Sequence, residues 1–133
     1  MSESERLPGV IPILVTPFDE DFRIDEESVR RLIRSNLEAG VHELRIAFGS
    51  EVFRLTEAER VERTRIVVDE VGGHVPVVVN TGADGTDLEV HYSRMAEENG
   101  ADALIILPPT LMAVGRVEIV KPVLTAVSAF PLR

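Results

Sequence analysis

Four short β-branched apolar runs recur along this chain at intervals of about thirty residues, the length of one strand-plus-helix unit, and each leads into a capped amphipathic stretch. The runs are Gly9 to Val15, Leu44 to Phe48, Val75 to Val79 and Ala103 to Leu107, and Gly, Pro or Asn bounds each of them. Runs of this length with little polar alternation read as strands covered on both faces, the pattern of a parallel sheet flanked by helices. The implied fold class is α/β.

The stretches between the runs carry helix punctuation. Asp25 caps the first, Val29, Leu32, Ile33 and Leu37 form its apolar face, and Gly40 closes it. The second opens with Thr56 and Glu59 in capping-box spacing, runs through Val61, Thr64, Val68 and Val71, and stops at Gly72-Gly73. The third repeats the box with Thr86 and Glu89, places Leu88, His91 or Tyr92, Met95 and Ala96 on one side, and ends at Gly100. A fourth is expected within Glu118 to Val127, starting near Lys121 with Pro122 in its first turn.

Right-handed repetition of this kind leaves a doubly wound sheet or a (β/α)8 barrel as candidates, and spacing alone does not choose between them. A dinucleotide-binding sheet requires a Gly-x-Gly-x-x-Gly turn after the first strand. Here that strand runs into Thr16-Pro17-Phe18-Asp19, which argues against it.

With 133 residues the chain suits one domain with a real core, and is short for a whole barrel. Its formal charge of −9 argues against nucleic acid and anionic membrane as partners. Cysteine is absent, which removes disulfides and thiolate metal sites. Met1 to Leu7 lacks the basic-then-apolar layout of a signal peptide and no run approaches membrane-spanning length, so a cytoplasmic location is the expectation. Lys121 is the sole lysine beside thirteen arginines.

Three strand ends turn polar or glycine-rich: Thr16-Pro17-Phe18, Gly49-Ser50-Glu51 and Asn80-Thr81-Gly82. In parallel α/β folds such ends meet on one rim, where sites are built, although loops are polar in any case. His42, His74 and His91 fall before the second strand, before the third and on a helix, where solvated or packed histidine is the expectation, and none has metal-ligand spacing. Tyr92 reads as helix packing.

The order of motifs resembles one family. Gly9-Val10-Ile11-Pro12-Ile13-Leu14-Val15-Thr16-Pro17-Phe18, Ile24-Asp25 and Glu38-Ala39-Gly40-Val41 are similar to the opening unit of the dihydrodipicolinate synthase and N-acetylneuraminate lyase family. Gly49-Ser50-Glu51 with Leu55-Thr56 and Glu59-Arg60 resembles its Gly-Thr-Thr-Gly-Glu turn and the helix behind it. Val75-Pro76-Val77 to Gly82-Ala83, Asn99-Gly100-Ala101-Asp102-Ala103 and Leu107-Pro108-Pro109 resemble its third and fourth units.

The resemblance implies a (β/α)8 TIM barrel, usually tetrameric, that makes or breaks carbon–carbon bonds of 2-keto acids such as pyruvate through a lysine Schiff base, with no separate cofactor or metal. It implies further that residues 1–133 are one domain, the first four β/α units of such a barrel, stopping where the fifth strand begins. Substrate carboxylate binding falls to Gly49, Ser50 and Glu51, with Thr16 nearby, in a turn about one residue short whose sole hydroxyl is Ser50. The family's proton-relaying tyrosine position is occupied by Thr110 or Leu111, and its sixth-strand lysine has no counterpart, because Lys121 belongs to the outer ring. Glu51 is expected to orient the turn or a helix terminus. A catalytically incomplete half of a keto-acid lyase is thus the leading reading, with a non-catalytic half-barrel that associates with itself as the alternative. An accidental likeness would have to reproduce four units in register. In either of the first two readings the strands are parallel and sequential with bare outer edges, and Ile11, Ile13, Ile46, Val77, Val79, Leu104 and Ile106 are expected on an uncovered inner face.

Overall fold

In the computed structural model, which describes residues 9–107 and 124–125, three strands, β1 (Leu44–Ile46), β2 (Val77–Asn80) and β3 (Ala103–Ile105), pair in parallel in sequence order. Leu44, Arg45 and Ile46 stand opposite Val77, Val78 and Val79, and Val78, Val79 and Asn80 opposite Ala103, Leu104 and Ile105. The first apolar run lies parallel along the outer edge of β1 as a single bridge, Ile13 to Arg45, rather than a full strand. Pro12 has no N–H to give the ladder. The run is still held by hydrogen bonds from Leu14 N–H to the Arg45 carbonyl (2.9 Å), from Arg45 N–H to the Pro12 carbonyl (3.1 Å) and from His42 N–H to the Val10 carbonyl (3.0 Å).

Helices α1 (Glu26–Glu38), α2 (Glu57–Val71) and α3 (Thr86–Glu98) cross between these segments. Asp25 caps α1 by accepting from the Ser28 hydroxyl at 2.5 Å and from Ser28 N–H at 3.1 Å, and those bonds hold its carboxyl below the usual carboxylate range. Thr56 and Glu59 form the reciprocal capping box of α2, which ends on Gly72 in the left-handed conformation. The box anticipated for α3 does not form. Gly85 takes the cap position without a side-chain bond, Thr86 is already the first helical residue, and Glu89 turns into the protein. The fourth helix is outside the described residues apart from Leu124 and Thr125, which are helical.

Between sheet and helices lies the core, with Leu14, Leu44, Ile46, Val77 and Val79 against Val29, Ile33, Val67, Val71 and Ala96. Each such valine or leucine contributes about 1.5–3 kcal/mol on burial. This corrects the expected strand parity. Ile46, Val77 and Val79 face the helices, at 2, 2 and 6 % exposure, and Leu104 packs partly buried on the same cluster. The opposite face carries Ile13, Arg45, Val78 and Ala103 in register. Ile13 and Val15 remain 45 and 55 % exposed there, whereas Val78 on the central strand is buried at 7 %. A strand apolar on both sides has no alternation from which parity can be read.

Candidate functional site

The three polar strand ends occupy the C-terminal side of the sheet, where α2 and α3 begin. The first, Thr16-Pro17-Phe18, is set by a tight reversal: Phe18 bridges Ile24, the Asp19 carboxylate accepts from Asp21 and Arg23 N–H, and Asp25 N–H donates to the Pro17 carbonyl at 3.0 Å. The cap of α1 is thereby tied to the rim. Thr16 is buried, and its hydroxyl has no partner among the described residues.

The second segment turns sharply at Gly49, whose φ of +114° lies where side-chain-bearing residues are strained. Ser50 closes the turn by donating both its N–H (3.3 Å) and its hydroxyl (3.0 Å) to the Ala47 carbonyl. Its oxygen can still accept, but its proton is engaged. The amides of Gly49 and Glu51 make no comparable bond among the described residues. Glu51 heads the short 3-10 helix Val52–Arg54, and its carbonyl accepts from Arg54 N–H at 2.7 Å. Beside it Phe48 and Phe53 stack edge to face, 5.1 Å between ring centres.

In the third segment Asn80 and Thr81 are buried. The Asn80 side-chain Oδ1 accepts from Gly82 N–H, and Thr81 shares a 2.8 Å hydroxyl bond with Ser93 of α3. Glycine at 82 is dictated by close approach, because a Cβ there would stand 2.9 Å from the Leu107 Cβ.

Sequence reasoning passed over the residue that links the first two segments. Arg63 of α2 is fully buried; its Nη2 donates to the Leu14 carbonyl and its Nη1 lies 3.5 Å from the Glu51 carboxylate. Burial pulls its pKa down to about 10, with Glu51 opposing the shift, so it stays charged at neutral pH. The signal was available: Arg63 stands four residues before Val67 and eight before Val71, on the face that buries. Glu89 is the other surprise. It is fully enclosed on the inner face of α3, and burial raises its carboxyl pKa, while the Leu107 amide favours the charged form.

The histidines make contacts of their own, and Tyr92 borders the space beside Asn80 and Thr81. His42 Nδ1 accepts from Val10 N–H, His74 Nδ1 lies 2.7 Å from the Val71 carbonyl, and His91 pairs with Glu57 at 3.2 Å. Tyr92 packs under Arg60, 4.5 Å from guanidinium carbon to ring centre. Among the described residues no cluster of histidine and carboxylate side chains could hold a metal ion, and no helix is long and apolar enough to cross a membrane. Thr110, Leu111 and Lys121 lie outside the described residues.

Parallel β/α units with polar strand ends gathered on one side define a class of enzyme-bearing folds. The model of the dihydrodipicolinate synthetase family matches residues 6–121, and the chain belongs to that family. It is similar to the 4-hydroxy-tetrahydrodipicolinate synthase of Salinibacter ruber, 43 % identical over 103 residues that cover 76 % of this chain and 34 % of the relative. Among solved structures it resembles the dihydrodipicolinate synthase of Agrobacterium tumefaciens (TM-score 0.86, 27 % identity, 95 % of this chain and 43 % of that one). It also resembles YagE, a prophage protein of the same family from Escherichia coli K12 solved in complex with pyruvate (TM-score 0.88, 27 % identity, 93 and 42 % covered). The chain therefore has the architecture of a partial (β/α)8 barrel, and it spans about a third of the length of the curated relatives it matches.

Proposed function

We propose that residues 1–133 form one domain corresponding to the N-terminal half of a keto-acid lyase or synthase barrel, able to recognise a small 2-keto acid but not to turn it over alone. The observation that carries this reading is the family match along residues 6–121, set against a sequence whose sole lysine is Lys121. Carbon–carbon lyase chemistry of this type begins when a neutral amine attacks the keto carbon and the carbonyl oxygen leaves as water. The protonated imine then withdraws electrons while a proton leaves the neighbouring carbon. That sequence needs an unprotonated lysine beside the bound carbonyl, and a hydroxyl acid to pass protons.

Recognition is a separate task. The Gly49 and Glu51 amides are the donors proposed for the substrate carboxylate, with Thr16 at the flank. The Ser50 hydroxyl donates to the Ala47 carbonyl and holds the turn closed, so toward a substrate its oxygen can only accept. Thr110 or Leu111, where a tyrosine would relay protons, offers no comparable acid. No cofactor or metal enters this scheme.

The test is reductive trapping. Incubation of the purified chain with pyruvate and borohydride, followed by mass spectrometry, is expected to give unmodified protein. An adduct on Lys121 that disappears in Lys121→Arg would overturn the catalytic half of the proposal. A second reading, a self-associating half-barrel without catalytic duty, draws support from the exposed Ile13, Val15 and Phe48. Sedimentation showing a stable monomer that binds no hydrophobic dye would count against it.

A further inference from the structure

We infer that Arg63 is the positioning residue of the rim: from behind the sheet its guanidinium holds the end of the first apolar run and the Gly49-Ser50-Glu51 turn in fixed relation. The inference deepens the keto-acid reading above and rests on it for its ligand arm only. Nη2 donates to the Leu14 carbonyl, two residues before Thr16, and Nη1 faces the Glu51 carboxylate at 3.5 Å. Both contacts join segments that no continuous strand pairing ties together, since the first run meets β1 at one bridge and the turn follows β1 with its own internal bonds.

The third segment is reached through a small cavity. A space of about 20 Å³ adjoins Arg63, Thr64, Asn80 and Thr81, room for one water. Arg63 Nε and Nη1 and Asn80 Nδ2 are buried donors without a hydrogen-bond partner among the described residues. A water bound there would accept from arginine and asparagine and donate to a threonine hydroxyl, satisfying groups otherwise costly to bury. Arg63 thus binds two of the strand ends that build the rim directly and borders the third across this space.

Stability alone is a poor reason to keep such a residue. Replacing a buried ion pair with apolar side chains of similar volume is often neutral or favourable, whereas a fixed fork of donors specifies geometry. The role as a positioning residue therefore separates from a merely structural one by experiment.

Amide hydrogen exchange, followed by NMR without any ligand, is the first readout. Arg63→Met is expected to speed exchange about tenfold, the loss of one charge-assisted hydrogen bond, at Leu14, Ser50 and Arg54, while Leu44, Val67 and Val71 stay as in the parent. Arg63→Lys keeps the charge but loses the fork and is expected to loosen the same amides. Glu51→Gln, at a partly exposed position, provides the same test should Arg63→Met fail to fold, and the double variant is expected to be no looser than Arg63→Met alone. Unchanged exchange at Ser50 and Arg54 in a folded Arg63→Met, or in Glu51→Gln where Arg63→Met does not fold, would overturn the inference. Pyruvate titration then reads the ligand arm, with affinity expected to fall about tenfold in Arg63→Met. If the parent chain shows no pyruvate-dependent shifts, the recognition proposal fails, and the exchange data still decide the role of Arg63.

Discussion

Helices α2 and α3 begin with the same spacing, Thr-x-x-Glu, and end up in opposite electrostatic states. At α2 the motif works locally: Thr56 accepts from Glu59 N–H, and Glu59 accepts from the Thr56 amide (2.7 Å) and hydroxyl (2.8 Å). Those bonds from Thr56 hold the Glu59 carboxyl below its ordinary value. At α3 the helix starts one residue earlier relative to the motif, Gly85 occupies the cap, and Glu89 is carried round to the face that packs on the sheet. There burial pushes its carboxyl the other way. A capping box is a statement about four residues. Whether it forms depends on which face of the helix the fold buries.

The largest effect that would sharpen this contrast is expected at Glu89. A carboxyl whose folded pKa is raised favours the folded state only while protonated; its contribution is full below the unfolded value near 4.5 and is lost as pH rises through the folded value. Glu89→Gln is therefore expected to stabilise the chain at pH 7 by about 1–3 kcal/mol, the cost of a poorly satisfied buried polar group. The gain should vanish near pH 4. Urea unfolding at the two pH values checks it, and a variant less stable than the parent at pH 7 would mean that the buried carboxylate is satisfied as an anion.

The next effect belongs to the box that forms. Thr56→Ala is expected to cost about 1 kcal/mol, the usual loss on removing a threonine cap, whereas Thr86→Ala should lie within about 0.5 kcal/mol of the parent, since its side chain caps nothing. The pH sign is opposite to that of Glu89: with its pKa lowered in the folded state, Glu59 supports folding above its unfolded value and loses that support as pH falls through the folded one. Paired denaturation curves of the two alanine variants at neutral pH would break the comparison if the midpoints moved equally.

What the sequence disclosed follows the same division between local and non-local causes. Asp25, Thr56, Gly72 and Gly40 announce helix ends because caps and left-handed glycines act within one turn of chain. Parallel sequential strands were legible from repetition, and motif order gave the family. Strand parity was hidden, because Val77, Val78 and Val79 are equally apolar and only the packing of α2 and α3 decides which of them face the helices. Arg63 was passed over, and Glu89 assigned to a capping box, for a related reason. A charged residue on a helix is presumed to be solvated until tertiary contacts show otherwise, and what Arg63 binds, the Leu14 carbonyl and Glu51, and what encloses Glu89, near Leu107, lie in distant segments.

The smallest expected effect would bring the two helix starts closer together. Gly85 sits at the cap of α3 with extended backbone, φ −148° and ψ 134°, a conformation any residue adopts, and a Cβ added there meets nothing within 4 Å. Aspartate at this position can accept from an amide of the first turn, as Asp25 does at α1, and its charge suits the positive end of the helix dipole. Asp87 and Glu89 already stand in that first turn, and Asp87 is exposed, so mutual repulsion takes back part of the gain. Gly85→Asp is therefore expected to add a few tenths of a kcal/mol at most, on the order of 0.3, since glycine is itself an acceptable cap. The increment should fade as pH falls and the new carboxylate is protonated. Thermal unfolding at pH 7 and pH 3 measures it, and destabilisation at pH 7 would show that the acidic first turn of α3, rather than the missing side-chain cap, governs how that helix begins.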